Sequence, residues 1–192
     1  MPLTIGLTGG IAAGKSEALA AFGRLGAATL SSDAVVHELL DSEPLRGRLV
    51  ERWGPEVAPG ETVDRARIGE IVFADPEQLT WLEQQVHPLV GERVAAWLAA
   101  LPADTEVAVI EVPLLFESGM EGVFDTTVAV VTADEVRRER AAARGHALVD
   151  EREARQLAQD EKAERAEHAV VNDGSLEELQ AALSALLTKL RG

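Results

Sequence analysis

The 192-residue chain contains no cysteine. This absence excludes disulfide bonds, thiolate nucleophiles and metal centres built from cysteine, so packing alone must hold the fold together. The chain also lacks any apolar run near the roughly 20 residues that cross a bilayer, and Met1–Leu7 has no basic segment typical of a signal peptide. We therefore expect a cytoplasmic protein that has no membrane partner.

Basic residues are scarce, with 18 Lys plus Arg against 33 Asp plus Glu and a net charge of -15. Broad binding to nucleic acid needs a basic face that displaces phosphate counterions, so we expect no nucleic-acid partner. The apolar share of 46% and the charged share of 27% are ordinary for a globular protein, which argues against disorder, collagen and coiled coil. With no repeat or long linker, the length predicts one domain, as a monomer or a weak homo-oligomer.

Short apolar, β-branched runs alternate with longer segments of helical periodicity. This alternation is typical of a parallel sheet with helices on both faces. The predicted buried strands are Leu3–Thr8, Ala27–Leu30, Val107–Val112, Thr127–Thr132 and His168–Asn172. The predicted helices are Ser16–Leu25, Ser32–Leu40, Pro76–Leu101 with an interruption or kink at Pro88, and a stripe from Leu176 to Leu190 behind a Ser175 N-cap.

The stretch between the second and third predicted strands is too long for a single crossover helix, and a second helical stretch lies between the last two strands. Residues 32–106 are predicted to form a helical insertion, and residues 133–167, which are dense in arginine, are predicted to form a helical lid. The remaining residues, 1–31, 107–132 and 168–192, would form the core of the domain.

The segment Gly9–Ser16 reads Gly-Gly-Ile-Ala-Ala-Gly-Lys-Ser and fits G-x-x-x-x-G-K-[ST] between a predicted strand and a predicted helix. Glycines let backbone N–H groups approach phosphate oxygens, and the helix N-terminus supplies a positive end. Lys15 would reach the β and γ phosphates, while the Ser16 hydroxyl would hold Mg²⁺. The pattern predicts a nucleoside triphosphate site in an α/β fold of the P-loop NTPase class, a three-layer sandwich with a parallel sheet of about five strands. The predicted ATP site also includes Gly9, Ala12, Ala13, Gly14 and Glu17.

Two acidic residues lie near the carboxyl ends of predicted strands, at the edge where the phosphates would bind. Asp33 could orient the acceptor of a phosphoryl group, but Ser31-Ser32-Asp33 also looks like a helix N-cap, and position alone leaves both open. Glu111 closes the third strand, where a carboxylate often coordinates the metal; the alternative is a solvated strand end.

Arg137, Arg140 and Arg144 have helical spacing that places them on one face, with Arg138 beside them. They could close over the triphosphate, because the arginine fork suits phosphate oxygens, or form an ordinary solvated helix face. His87 precedes Pro88 in an apolar helical pattern, where a packing histidine is the simpler interpretation.

Several segments, in order, resemble the dephospho-coenzyme A kinase family. They are Ile5–Ser16, Asp33–His37, Asp64–Phe73, Leu82-Glu83, His87-Pro88-Leu89, Val112-Pro113-Leu114-Leu115-Phe116-Glu117, Arg140–Arg144, Gln159, Lys162 and Asn172–Ser175. The match spans nearly the whole chain, and the Pro-Leu-Leu-Phe-Glu and His-Pro segments are more specific than the phosphate motif.

The resemblance implies that ATP gives its γ-phosphate to the ribose 3′-hydroxyl of dephospho-coenzyme A, with Mg²⁺ as cofactor. Asp33 would accept or orient the hydroxyl proton. The residues implied to bind the acceptor are Arg65, His87, Pro113 and Leu114. The residues implied to act on ATP from the lid and the last strand are Arg140, Arg144 and Asn172.

The chain departs from the family pattern at several positions. Ala12-Ala13 stand where Gly-Ser is common, Glu17 replaces the usual Thr, Ser31 stands where Asp is common, and Ala166-Glu167-His168 replaces a usual Ala-Asp pair. A carboxylate at position 17 would lower nucleotide affinity.

The nearest alternative is another small-molecule kinase of this fold, such as a nucleoside monophosphate or shikimate kinase, which would lack the Pro113–Glu117 and His87-Pro88 segments. A GTP-dependent switch is disfavoured because no Asn-Lys-x-Asp motif occurs in the chain. An ATP-dependent binding module remains open if Asp33 only caps a helix.

Overall fold

A computed structural model of the chain describes residues 1–143 and 156–191. By its internal contacts the chain divides into two compact units, one formed by Met1–Ser31 and Leu101–Gly192 and the other by Ser32–Ala100. No helix in the described ranges is long and apolar enough to cross a membrane.

The first unit is built on a five-stranded sheet in which every pairing is parallel, with the order β2-β3-β1-β4-β5. The strands are β1 (Leu3–Gly9), β2 (Ala28–Ser31), β3 (Val107–Glu111), β4 (Thr126–Val131) and β5 (His168–Val171). Each predicted strand is confirmed, with its ends within one residue of the predicted ones. Parallel strands end at one edge, so β1, β3 and β4 bring the residues after them to that same edge.

The described part of the chain contains eight α-helices. They are α1 (Lys15–Arg24), α2 (Ser32–Asp41), α3 (Glu43–Trp53), α4 (Arg65–Ala74), α5 (Pro76–Ala99), α6 (Asp134–Ala143), α7 (Gln159–Arg165) and α8 (Leu176–Arg191). Short 3₁₀ turns cover Pro55–Val57 and Glu121–Val123. The fold class is α/β, as the alternation of strands and helices predicts.

Helices and loops cover both faces of the sheet. Alternate residues of β1, Ile5 and Leu7, join a buried cluster with the apolar faces of α1 and α8. The other residues of β1 point to the opposite face. There a side chain at Gly6 would collide with Phe124, which shows how closely the segment after β3 packs on the sheet. The sheet is therefore the middle layer of a sandwich.

The second unit is helical, with α5 packed against α2 and α4. Its α5 runs for 24 residues with Pro88 inside it, so the predicted interruption at Pro88 is wrong, whereas the alternative of a kink there stays a prediction. Proline removes one backbone hydrogen bond, but packing along the rest of α5 outweighs that loss. Trp53 and Trp81 meet edge to face at 5.2 Å between ring centroids, and the Trp53 indole N–H donates to Gln78.

Candidate active site

The phosphate loop, residues Gly9–Ser16, connects β1 to α1. It needs a left-handed backbone at three positions, with φ of 153° at Gly9, 60° at Ala12 and 91° at Gly14. A Cβ atom at Gly14 would overlap the Nδ2 atom of Asn172, so only glycine fits there. Ala12 is the one non-glycine with positive φ in the described part of the chain.

Lys15 opens α1, and its Nζ atom lies 3.0 Å from the carbonyl oxygens of both Gly9 and Gly10. The ammonium is thus held over the loop. Gly14 at the N-cap carries no side chain that could cap the first-turn N–H groups. Ser16 and Glu17 are exposed in that turn. The N-terminus of α1 can therefore receive an anion.

Behind the loop, two buried side chains bind one carbonyl. The Thr132 hydroxyl and the Asn172 amide each donate to the oxygen of Ala13 at 2.9 Å. Thr132 directly follows β4 and Asn172 directly follows β5. The predicted ATP-site residue Asn172 thus supports the loop through its side chain.

Arginines of α6 lie beside the same loop. The Arg140 Nη1 atom donates to the carbonyl of Asn172 at 3.0 Å, and Arg137 lies next to Gly10 while pairing with Asp134 at 3.2 Å. Arg138 is exposed. Two of the clustered arginines therefore face the loop. Arg144, a predicted ATP-site residue, lies outside the described residues.

A pocket of about 290 Å³ opens beside the loop. Its lining includes Gly14, Glu17, Arg140, Asn172 and Gly174. Glu17 and Arg140, a predicted phosphate-binding arginine, therefore line the same pocket.

Glu111, the predicted metal ligand, is the buried last residue of β3 and pairs in register with Leu7 and Ser31. Its carboxylate lies at the sheet edge from which the phosphate loop starts. Among residues 1–143 and 156–191 there is no group of three or more His, Asp or Glu side chains that could hold a metal by themselves. Magnesium in nucleotide sites commonly uses one or two protein oxygens plus phosphates, and the Ser16 hydroxyl and Glu111 carboxylate are donors of that kind.

The Pro113–Glu117 segment follows β3, with Pro113 half-buried and Leu114 exposed. Lys162 of α7 is fully buried and donates to the Pro113 carbonyl at 2.6 Å and to Glu117 Oε1 at 3.0 Å. Burial lowers the pKa of the Lys162 ammonium, and the bond to Glu117 partly offsets that effect. A buried ion pair thus fixes the segment to α7.

Asp33 belongs to the second unit and lies in the first turn of α2, two residues after β2 ends. Its side chain is exposed and accepts no hydrogen bond from the described residues. An N-cap carboxylate would accept one from an N–H group of the first turn. The structure therefore does not support the capping alternative.

Arg65, the predicted acceptor ligand, opens α4 behind the N-cap Asp64. Its Nη2 atom lies 3.1 Å from Asp41, whose other oxygen accepts the backbone N–H of Val63 at 2.8 Å. These bonds, the backbone one foremost, lower the pKa of Asp41. His87 is exposed on α5, so its interpretation as a packing histidine is wrong.

Three residues with clear contacts were given no role by the sequence: Thr132, Gln159 and Lys162. The side chain of Gln159 binds both the N–H and the carbonyl of Thr132 at 2.9 Å and also lies against Gly10. For Thr132, the sequence offered one signal, a polar residue at the end of an apolar predicted strand. For Gln159 and Lys162, the family resemblance was the only indication of a role.

Comparison with known proteins identifies the family of the chain. The family model described as dephospho-CoA kinase matches residues 3–178. A dephospho-CoA kinase of Synechococcus is 38% identical over 95% of this chain and 94% of its own length. The dephospho-CoA kinase of Thermus thermophilus is 37% identical over 100% of this chain and 93% of its own length.

Solved structures share the fold. A crystal structure from Thermus thermophilus superposes with a TM-score of 0.84 at 36% identity, covering 100% of this chain and 99% of that one. A dephospho-CoA kinase from Campylobacter jejuni gives 0.73 at 23% identity over 99% and 98% of the two chains, a likeness of fold alone. On the strength of the family model and the full-length relatives, the chain belongs to the dephospho-CoA kinase family.

Proposed function

We propose that this chain phosphorylates the ribose 3′-hydroxyl of dephospho-coenzyme A with ATP, giving coenzyme A and ADP in the last step of coenzyme A synthesis. The observation that carries the proposal is the family match over residues 3–178, which includes the phosphate loop and the Pro113–Glu117 segment. Relatives at 39% and 35% identity carry the same name, with matches that cover 78% and 92% of their own lengths.

ATP would bind with its phosphates on the phosphate loop. Lys15 would exchange its two carbonyl contacts for β and γ phosphate oxygens, because an ammonium binds an anion more strongly than a neutral carbonyl. Arg140 and Arg144 would neutralise charge that develops during transfer. The backbone of Gly9, Ala12, Ala13 and Gly14, together with Glu17 and Asn172, would complete the nucleotide site.

Mg²⁺ would be held by Ser16, with Glu111 acting directly or through water, and when bound it neutralises phosphate charge. Both residues offer oxygen, the ligand that Mg²⁺ prefers. The Ser16 hydroxyl is exposed beside Lys15, and the Glu111 carboxylate lies at the edge of the sheet from which the loop departs.

In the transfer step, the ribose 3′-oxygen forms a bond to the γ-phosphorus while the bond from that phosphorus to the bridging oxygen breaks and ADP leaves. The 3′-hydroxyl proton passes to the Asp33 carboxylate. An exposed carboxylate that caps no helix is available for this role. Arg65, His87, Pro113 and Leu114 would bind the acceptor, and a closing lid at residues 133–167 would exclude water so that ATP is not hydrolysed.

The test is to incubate the purified protein with Mg·ATP and dephospho-coenzyme A and to quantify ADP and coenzyme A. We expect both products in equal amounts. AMP and shikimate serve as competing acceptors in parallel reactions, because other kinases share this fold at low identity, including a shikimate kinase at 12%. Turnover of either of them without turnover of dephospho-coenzyme A would overturn the proposal.

A further inference from the structure

The peptide group between Ala13 and Gly14 is held from one side. Its carbonyl accepts hydrogen bonds from Thr132 and Asn172, both at 2.9 Å. Ala13 is 0%, Thr132 2% and Asn172 6% exposed, so water cannot replace these donors. A buried carbonyl without a donor is costly, and this one has two.

A trans peptide is planar, and its N–H points opposite to its C=O. The donors on the Ala13 oxygen therefore turn the Gly14 N–H away from Thr132 and Asn172. Gly14 is buried, and its N–H has no acceptor anywhere in residues 1–143 or 156–191. A buried N–H group left unpaired at the N-cap of α1 is ready for an oxygen of a bound anion.

We propose that Thr132 is a positioning residue for phosphate binding. Its hydroxyl, with the Asn172 amide, fixes the Ala13–Gly14 peptide so that the Gly14 N–H donates to a phosphate oxygen of ATP. This inference rests on the proposed use of the phosphate loop as the ATP site.

Thr132 is itself fixed in place. The Gln159 side chain binds its N–H and its carbonyl, both at 2.9 Å, as a neighbouring strand would. The backbone N–H of Asn172 donates to the Val131 carbonyl at 2.8 Å, and the backbone carbonyl of Asn172 accepts a hydrogen bond from Arg140 Nη1 at 3.0 Å. The loop is thus oriented by residues that directly follow β4 and β5.

The decisive variant is Thr132→Val, which keeps the shape of the side chain and removes the donor. We expect ATP and inorganic triphosphate to bind about tenfold more weakly, as for loss of one hydrogen bond to a charged group. Thr132→Ser should retain wild-type affinity for both. Thr127→Val is the matched control. Thr127 is buried like Thr132, but it lies near the start of β4, at the opposite end of the strand, where it accepts a hydrogen bond from the Glu167 N–H.

Dissociation constants are measured by calorimetry, and thermal unfolding is followed for every variant. Thr127→Val should lose stability without losing affinity. If Thr132→Val does not fold, Asn172→Leu takes its place as the test, because it removes the second donor to the Ala13 carbonyl. Inorganic triphosphate is the ligand for this variant, because it has no base that the Asn172 side chain could contact directly.

The inference would be overturned if Thr132→Val, or Asn172→Leu in its place, folds and binds both anions with wild-type affinity. It would also be overturned if Thr132→Ser or Thr127→Val weakens binding as much as Thr132→Val does. Failure of the unaltered protein to bind ATP or triphosphate would instead overturn the proposed function.

Discussion

Replacing Lys162 by methionine tests the buried ion pair that joins α7 to the Pro113–Glu117 segment. The Lys162 ammonium meets three acceptors, at 2.6 Å on Pro113, 3.0 Å on Glu117 and 3.4 Å on Gln156, and the side chain is 0% exposed. Methionine keeps most of the volume, so the main cost is the charge left on Glu117, whose side chain is only 15% exposed.

Breaking a buried pair on one side typically costs about 3–5 kcal/mol. The Glu117 Oε1 atom keeps the Leu157 N–H at 2.8 Å, while Oε2 has no partner in the described part of the chain. We therefore expect the lower end, about 3 kcal/mol, and a drop in Tm of roughly 6–12 °C for a chain of this size.

The assay is urea unfolding at neutral pH, followed by far-ultraviolet circular dichroism. Fluorescence serves as a second probe that reports on residues 32–100 alone, because all three tryptophans lie there. The double variant Lys162→Met with Glu117→Gln removes both charges and keeps an acceptor for the Leu157 N–H. It should be at least about 1 kcal/mol more stable than Lys162→Met. A double variant no more stable than the single one would refute the argument that an unpaired buried charge is the cost.

Three further substitutions test the loop, the proposed base and the sheet. Asp33→Asn should lower kcat by about 10²–10⁴ while calorimetry shows unchanged affinity for Mg·ATP, and a normal kcat would remove the proposed base. Ala12→Gly should raise Tm by about 1–4 °C. The left-handed φ costs alanine about 1–2 kcal/mol, and the greater conformational entropy of glycine in the unfolded chain offsets about 0.5–1 kcal/mol of the gain from relieving that strain. A lower Tm would contradict this account.

The Asp125 carboxylate accepts hydrogen bonds from the N–H and the hydroxyl of Thr4, both at 2.8 Å, and these bonds lower the pKa of Asp125. The ionised Asp125 therefore stabilises the fold above the pKa that it has in the unfolded chain. This stabilisation is lost as the pH falls through the pKa of Asp125 in the folded protein. Asp125→Asn should thus cost roughly 0.5–1 kcal/mol at neutral pH, since the site is exposed, and the difference from the unaltered protein should vanish in acid; a difference that persists in acid speaks against the linkage.

The sheet could be predicted because its three central strands, β1, β3 and β4, are mostly buried on both faces and appear as continuous apolar, β-branched runs. The edge strands β2 and β5 are less buried, but they keep short apolar, β-branched runs. The phosphate loop could also be predicted from local sequence, because its conformation depends on glycines at fixed spacing. The helical unit was less predictable. In α5 only Val86 and Val90 are buried, so the apolar pattern around His87 overstated its burial and wrongly favoured a packing role.

Support for the loop could not be predicted, because its contacts join distant residues. Thr132 and Ala13 are separated by 119 positions and Asn172 and Ala13 by 159. Neither periodicity nor motif spacing tells which polar residue at a strand end meets a given carbonyl. The same limit applies to Lys162, which looks in the sequence like an ordinary surface lysine between Glu161 and Ala163.

The strand order also determines when the central strand finds its partners. β1 lies between β3 and β4, which begin at residues 107 and 126, whereas residues 32–100 make their contacts within one helical segment. During synthesis at about 5–20 residues per second, β1 waits roughly 5–20 s before β3 exists. The helical unit can form in that interval, while the apolar β1 remains exposed to chaperones. The strand that leaves the ribosome first is thus the one that waits longest for a partner, and mutations that slow translation between residues 10 and 107 lengthen its exposure.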